Sequence, residues 1–344
     1  MKICYLNHDT RENTGAGRFY NALISALRKT SPDVEAEVMT SEDVLRPGVF
    51  RLLLNLGKIR AILAKSDLIH ALDGWPYGFI AALASLGLGK KLIITAVGTG
   101  GVQALYHPWK KYMLSWAYRR ADRLVAVSRH TRDEILKVLP DLKIEVINHG
   151  VDSDLFQLPV ADPQLPLAKP YILSVGAWKK RKGLEYSIAA FDLLKDRFPG
   201  LHYVILSSPP QEIRKKYGQV NFVSGFSEEA LVALYKNAEL FILLPQDDHK
   251  DIEGFGLAYL EAAAAGLPVI GAKNTSAEDA VLDGKNGFLV DGKNTQEAAA
   301  KMSVILNDPA LRSKMAAESK NFAQKMTWEK AANSYRKIYF AATQ

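Results

Sequence analysis

The chain has 344 residues, enough for two domains at the usual ~150 residues each. A hydrophobic content of 48% and a charged content of 24% are those of a globular protein, and no run of about 18 apolar residues is present to span a membrane. The net charge of +7 and a pI of about 9.2 permit attraction to phosphate on a small ligand, a lipid surface or a nucleic acid, while a lone cysteine, Cys4, excludes an internal disulfide and fits a buried thiol in a reducing compartment.

The chain opens on a β-rich run at 2–7, with no small-residue cleavage site behind it, so no targeting segment is expected. Helical spacing of Phe19, Ala22, Leu23, Ala26 and Leu27 predicts a helix over 17–29. Buried strands are predicted at 68–71, 91–97, 123–127 and 144–147, with helices at 76–86 and 109–120 between them. Strands buried on both faces and joined by helices imply a parallel, doubly wound sheet. Residues 158–170 carry Pro159, Pro163, Pro166 and Pro170 with little periodicity and read as a linker. Beyond them the alternation restarts. Strands are expected at 171–175, 203–206, 221–223, 240–244 and 268–270, and helices at 184–198, 227–237, 257–266, 295–307 and 309–325. A last helix, 328–342, follows Thr327, a suitable N-cap. The predicted fold is α/β, two Rossmann-like domains: 1–157 and 171–327, with 158–170 between them and 328–344 packing back on the first. Sheets of this kind take ligands at the carboxyl ends of their strands.

The strongest chemical signal is Glu253-Gly254-Phe255-Gly256-Leu257 running on to Glu261. The glycines let backbone N–H groups approach a ligand, and the start of the helix behind them suits a phosphate or a sugar hydroxyl. Glu253 and Glu261 lie roughly 12 Å apart along a helix axis, too far for a paired-carboxylate hydrolase and suited to gripping two ends of one long ligand. Taken singly, each glutamate reads as a dipole-favoured or solvated acid; the glycines tip the pair toward function. A second signal is Gly176 at a strand end, followed by Lys179, Lys180, Arg181, Lys182 and Gly183, a phosphate trap on charge grounds. Lys179 and Lys180 fit a solvated turn. A third is Gly15-Ala16-Gly17 after the first strand. Tyr20 stands where a dinucleotide fingerprint needs Gly or Ala, so a dehydrogenase is disfavoured, and a tight turn is as good a reading. Gly98 and Thr99 follow another strand end, and His70 and Asp73 line the end of its neighbour, where an acceptor could be met. A lone histidine there is equally well a satisfied structural residue. No Cys/His cluster has metal-ligand spacing, and the 247–251 run reads as a solvated loop.

With these blocks in order, EGFGLAYLEAAAAGLPVI at 253–270 resembles the hallmark of retaining glycosyltransferases of family 4, with the GT-B fold of two domains facing each other across a cleft. DLIHALDG (67–74), ADRLVAVSRHTRDEI (121–135), INHGVDSDLF (147–156), ILSVGAWKKRKGLEYSIAAF (172–191), DGKNGFLV (283–290) and TWEKAANSYRKIY (327–339) extend the likeness over the whole chain. The resemblance implies that Glu253 contacts the donor sugar and Glu261 the ribose, and that Lys182, with Arg181, stabilises the departing diphosphate. It makes Gly15 and Gly17 a loop facing the pyrophosphate and Phe226 part of the base cradle. Gly176, Gly254, Phe255, Gly256 and Leu257 complete the donor-binding set. Val97 and Ala177 stand where relatives often have His and Arg. Asp279 replaces a Glu, and Thr275-Ser276 a glycine pair.

The function implied is transfer of a hexose from a UDP- or GDP-sugar to an acceptor hydroxyl, with retention. His70, Asp73, Gly98 and Thr99 would line the acceptor site of the first domain. No cofactor or divalent metal is expected. The acceptor is a glycan, a lipid or a small molecule, in a cytoplasmic setting or at the inner face of a membrane. Residues 107–120, rich in aromatic and basic side chains, suit weak peripheral membrane contact. No nucleic-acid partner is expected, for want of an aromatic-interleaved RNA motif. The competing reading is a non-catalytic nucleotide-sugar binder, motivated by Val97 and Ala177.

Overall fold

A computed structural model describes residues 1–7, 9–11, 14–40, 44–45, 48–157, 168–225, 227–248 and 251–343. Most of the expected linker, 158–167, and Phe226 lie outside the described residues. The chain divides into two compact units. The first comprises Met1–Gly150, His249–Phe255 and Trp328–Gln344, and the second Val151–Asp248 and Gly256–Thr327.

Among the described residues the first unit holds six strands: β1 (Lys2–Leu6), β2 (Glu35–Met39), β3 (Leu68–Ala71), β4 (Lys91–Ala96), β5 (Arg123–Ala126) and β6 (Ile144–Val146). They form one wholly parallel sheet in the order β2-β1-β3-β4-β5-β6. Between them run α1 (Gly15–Thr30), α2 (Val49–Leu54), α3 (Leu56–Leu63), α4 (Phe79–Ala84), α5 (Gly98–Val102), α6 (Lys110–Arg120) and α7 (Arg129–Leu136). Strand side chains alternate between faces. Cys4, Leu6, Ile69, Ala71, Leu92, Ile94, Ala96 and Leu124 join one core with buried residues of α2, α3, α4, α6 and α7. Burial pushes the Cys4 thiol up to about 12, in keeping with an inert structural cysteine.

The second unit repeats the plan. Its strands are β7 (Tyr171–Val175), β8 (His202–Leu206), β9 (Val220–Val223), β10 (Phe241–Ile242), β11 (Val269–Ala272) and β12 (Gly287–Val290), parallel throughout in the order β12-β11-β10-β7-β8-β9. Its helices are α8 (Leu184–Asp192), α9 (Gln211–Lys216), α10 (Glu228–Lys236), α11 (Leu257–Ala265), α12 (Thr295–Asn307) and α13 (Pro309–Ala323). Pro309 at the start of α13 loses no helical hydrogen bond, and Asp308 caps it by accepting from Leu311 N at 2.9 Å.

The last helix, α14 (Trp328–Thr343), belongs to the first unit and packs along α1. Tyr335 and Tyr339 are buried on the sheet face opposite the core just described. Tyr339 lies 3.2 Å from the Tyr5 hydroxyl and 3.0 Å from His70 Nδ1. The other ring nitrogen of His70 is 2.8 Å from Thr95 Oγ1, which in turn lies 3.3 Å from the Tyr335 hydroxyl. Burial holds the His70 pKa down at about 3, so the ring is neutral at physiological pH.

Two expectations change here. The helix expected over 76–86 shortens to α4, because an irregular helical turn occupies Gly74–Gly78 with Trp75 extended. His70, expected to meet an acceptor, is sealed under α14 with both nitrogens committed to side chains of the same unit, so its role is to seat that helix.

Candidate functional site

In each sheet the strand order reverses once, and there the loops leaving adjacent strands diverge and open a crevice at the carboxyl edge. In the first unit the reversal lies between β1 and β3. Asp9 and Asp73 follow these two strands, and both are buried. Arg11 grips Asp9 through two bonds, Nε to Oδ1 at 2.8 Å and Nη2 to Oδ2 at 3.0 Å, which holds the Asp9 pKa down at about 2. Asp73 instead accepts backbone hydrogen bonds from Gly74, at 2.7 Å, and Val97. Burial outweighs them and raises its pKa to about 7. Two carboxyl groups on neighbouring strand ends thus have opposite protonation behaviour, a pattern that separates a fixed anion from a group able to exchange a proton near neutrality. The loop after β4 wraps Asp73 closely, since a Cβ at Gly100 would collide with its carboxyl group. Sequence reasoning passed over Asp9; the Asp-x-Arg spacing just after β1 was the available signal.

The Glu253 segment is held by the same loop. Thr99 Oγ1 lies 2.6 Å from Asp251 Oδ1 and 3.0 Å from the Ile252 carbonyl oxygen. Thr131 Oγ1 donates to the Gly254 carbonyl at 3.2 Å, and Ile252 is part of the first unit's core. Gly98 has φ +50°, and a Cβ there would sit 2.6 Å from Gly254 Cα, so only glycine allows the two backbones to meet. Gly98, Thr99, Glu253 and Gly254 are therefore brought together. Phe255 differs from expectation. Its ring is buried beside His149, with centroids 5.0 Å apart, in a cluster with Phe19 and Trp328. That leaves its backbone, rather than its ring, for a ligand. The loop before α1 also divides. Thr14 caps the helix by accepting from Gly17 N at 3.1 Å, and a Cβ at Gly17 would collide with the Arg11 carbonyl oxygen, so Gly17 serves the turn. Gly15 faces open space.

In the second unit the reversal lies between β7 and β10. Gly176 follows β7, and the Lys182 stem lies over it, its Cε 3.3 Å from where a Cβ would stand. Gly183 has φ +59°, and a Cβ there would collide with the Leu244 carbonyl just beyond β10. Gln246 N donates to the Arg181 carbonyl oxygen at 2.8 Å. The basic turn 180–182 is thus pinned across both switch strands. Neither α8 nor α11 has a side-chain cap at its N-terminus; Gly183 and Gly256, both left-handed, occupy those positions. First-turn N–H groups there are suited to an anion. Glu261, one face of α11 further on, is only 3% exposed, and its Oε2 accepts from the Tyr235 hydroxyl at 2.7 Å. Tyr235 carries no sequence signal for this role.

A family model described as Glycosyl transferases group 1 matches residues 160–322, and one described as Glycosyltransferase Family 4 matches residues 23–155. The chain belongs to glycosyltransferase family 4. This glycosyltransferase is 27% identical over 277 residues to the GDP-mannose-dependent α-(1-6)-phosphatidylinositol monomannoside mannosyltransferase of Mycolicibacterium smegmatis, over 74% of this chain and 72% of that protein. It is 29% identical over 295 residues to a glycogen synthase of Mycobacterium tuberculosis, over 81% and 69%. Among solved structures, a sucrose-phosphate synthase from Thermosynechococcus elongatus superposes with a TM-score of 0.81 at 20% identity, over 99% of both chains. Anabaena HepE in complex with UDP-glucose superposes with 0.77 at 18%, over 99% and 100%. These likenesses show the GT-B glycosyltransferase fold.

Proposed function

We propose that this family 4 glycosyltransferase moves a hexose from a UDP- or GDP-sugar to an acceptor hydroxyl with retention at the anomeric carbon, in glycan, glycolipid or polysaccharide synthesis. The observation that carries the reading is the Lys182–Gly183 turn, seated on the carboxyl ends of β7 and β10 between two helices that start without side-chain caps. A diphosphate there meets a cation and backbone donors, and such fixed donors contribute most where charge grows as the leaving group departs. The relatives' names support the donor class: one acts from GDP-mannose, and one was solved with UDP-glucose.

In this proposal Lys182 and Arg181 stabilise the departing diphosphate, Glu261 accepts hydrogen bonds from the ribose, and Glu253 orients the donor sugar. Gly15, Gly176, Gly254, Gly256 and Leu257 offer backbone contacts. Asp73, with Gly98 and Thr99, serves the acceptor hydroxyl in the first unit. The C1–phosphate oxygen bond breaks, the acceptor oxygen bonds C1 on the same face, and the hydroxyl proton passes to the departing diphosphate. With Lys182 and backbone donors neutralising charge, turnover continues in EDTA.

Thermal stabilisation against UDP-, GDP- and ADP-sugars, followed by product analysis with simple acceptors, tests the reading. A donor at 100 times its Kd adds about 2.7 kcal/mol. Stabilisation by no nucleotide sugar, or an inverted product, refutes it. The aliphatic Val97 and the exposed Ala177 favour one competing account, a binder that holds the donor without turning it over. Tight donor binding with no product from any acceptor would establish that account instead.

A further inference from the structure

The charge of the chain is unevenly placed. No aspartate or glutamate stands between Val44 and Ser66, or between Gly74 and Ala121. The first stretch carries five lysines and arginines and the second six, eleven against a net excess of +7 for the whole chain. The remainder is therefore net acidic, and the basic character sits in the segments that build α2, α3, α4 and α6. Those four helices cover the same face of the first sheet, because their buried residues all enter the one core with Leu6, Ile69 and Ile94. Neighbouring helices pack about 10 Å apart, so the layer offers one broad outer surface roughly 30 Å across.

Large apolar side chains crowd that surface. Trp109 and Phe50 are each 74% exposed and Leu54 73%, with Tyr112, Met113 and Leu53 also exposed. In α2 the core takes Leu52 alone, while Phe50, Leu53 and Leu54 point away. Trp116 packs edge-on to Phe79 at 6.0 Å, and Phe79 stacks on Trp75 at 5.7 Å, which carries the aromatic surface from α6 across to α4. Arg60 Nη1 donates to the Ala84 carbonyl at 3.0 Å, tying α3 to the end of α4. Lys110 lies 5.8 Å above the Trp75 ring and Lys111 4.9 Å from that of Tyr112, so cations and rings share the patch.

We propose that this helical layer of α2, α3, α4 and α6 is a docking surface for an anionic lipid bilayer. Arg119 pairs with Asp141 and Lys91 with Asp122, so the attraction to anionic headgroups comes from the excess of lysine and arginine over these acids, and tryptophan, tyrosine and leucine set among the cations suit the headgroup–acyl boundary. Exposed apolar side chains at both ends of the layer distinguish this partner from a nucleic acid, whose phosphates would use the cations and leave Phe50 and Leu54 in water. Among the described residues no helix is long and apolar enough to cross a membrane, so the contact is interfacial. The surface extends the 107–120 segment with a second anchor, α2, which sequence periodicity did not reveal.

The test is sedimentation of the full chain with phosphatidylglycerol-containing vesicles at low salt, beside neutral phosphatidylcholine vesicles. The expected result is binding to the anionic vesicles alone, released by raised salt. Lys110→Ala/Lys111→Ala and Phe50→Ser/Leu54→Ser should each lower the partition coefficient about tenfold or more. All four sites lie outside the proposed donor and acceptor residues, so turnover of a soluble acceptor should stay at the wild-type level and reports correct folding. As a second readout, brominated acyl chains should quench tryptophan emission, and Trp109→Phe should remove most of that quenching. The proposal is overturned by no sedimentation with anionic vesicles, or by binding that both double variants leave intact. It is equally overturned if light scattering shows a dimer that the Phe50→Ser/Leu54→Ser variant dissolves, or if the surface retains a random oligonucleotide and not vesicles.

Discussion

The phenol of Tyr235 donates a 2.7 Å hydrogen bond to Oε2 of Glu261, and both side chains are buried. Tyr235, on α10, therefore fixes the direction in which a carboxylate on α11 presents its other oxygen. If Glu261 serves the ribose, an interaction equal in ground and transition states, its loss changes affinity and leaves the chemical step alone. Glu261→Gln should raise the donor KM with kcat largely kept. Tyr235→Phe should raise the same KM by about 2- to 12-fold, the effect of one ordinary hydrogen bond of about 0.5–1.5 kcal/mol. A fall in kcat at unchanged KM in either variant would move Glu261 to the reacting centre.

Glu253 should behave in the opposite way. It sits beside Gly254 in the segment that Thr99 and Thr131 hold, and the proposal sets it at the donor sugar, where positive charge develops as the diphosphate leaves. Glu253→Gln should lower kcat and kcat/KM together. A lost charge-assisted hydrogen bond of roughly 1.5–3 kcal/mol corresponds to about 10- to 150-fold. Normal turnover by this variant with its preferred donor and acceptor would remove Glu253 from the mechanism.

Asp73 should make both stability and turnover depend on pH. Its folded pKa, raised to about 7 by burial, lies above the ordinary carboxylate value near 4. Between those values the folded chain keeps a proton that the unfolded chain has lost. The contribution to stability is therefore fullest at acid pH, declines as pH rises from about 4 to about 7, and is constant above. Asp73→Asn should thus gain on the wild type in stability from pH 5 to pH 8, by a few kcal/mol at most at ~1.4 kcal/mol per unit, which is read as a narrowing or reversal of the gap in melting temperature. If Asp73 also serves the acceptor hydroxyl, acceptor kcat/KM should climb around pH 7 in the wild type and lose that limb in the variant. A gap in melting temperature that stays constant with pH would show that Asp73 does not titrate there.

Gly183 ties the proposed diphosphate site to the fold. With φ at +59° and the Leu244 carbonyl in the path of any Cβ, Gly183→Ala must distort the turn that places Lys182. Left-handed strain alone costs on the order of 1–2 kcal/mol. Denaturant unfolding should show at least that loss, and UDP or GDP binding should weaken tenfold or more. Wild-type affinity in the alanine variant would mean that the basic turn is not the diphosphate site.

Tyr339 and His70 supply a prediction about stability alone. Removing the phenol leaves a buried ring nitrogen of His70 without its partner, at about 1–3 kcal/mol. Tyr339→Phe should lower the melting temperature by several degrees while kcat per folded molecule is unchanged. An unaltered melting temperature would show that the tyrosine contributes packing and no hydrogen bond of consequence.

The parallel sheets were legible because their strands are buried on both faces and read as continuous apolar runs, as at 91–96 and 171–175. β2 escaped notice because Glu35 and Glu37 interrupt the run, which an edge strand tolerates. α2 and α3 escaped because Leu53 and Leu54, exposed at the end of α2, blur the helical period where the two helices meet. The two glutamates and the basic turn stood out as local patterns of charge and glycine. What local pattern cannot carry is the meeting of distant segments. Nothing at 251–254 announces that Thr99 and Thr131 will hold it, and nothing at Tyr235 announces Glu261. His70 and Phe255 looked like ligand contacts because they flank strand ends or glycines, and only tertiary packing shows His70 enclosed and the Phe255 ring turned into an aromatic cluster.

The enclosure of His70 by α14 bears on how the chain is made. Thr95 and Tyr335, 3.3 Å apart in the finished protein, are separated by 240 residues. At a ribosomal rate of about 5–20 residues per second, Thr95 emerges roughly 10–50 seconds before the tyrosine of α14 that covers it. Through that interval a nascent chain carries an open, ring-lined face with buried-type polar groups still wet. Fragments that stop before residue 328 should be sticky intermediates, and vectorial synthesis of this transferase should draw on holding chaperones until α14 arrives.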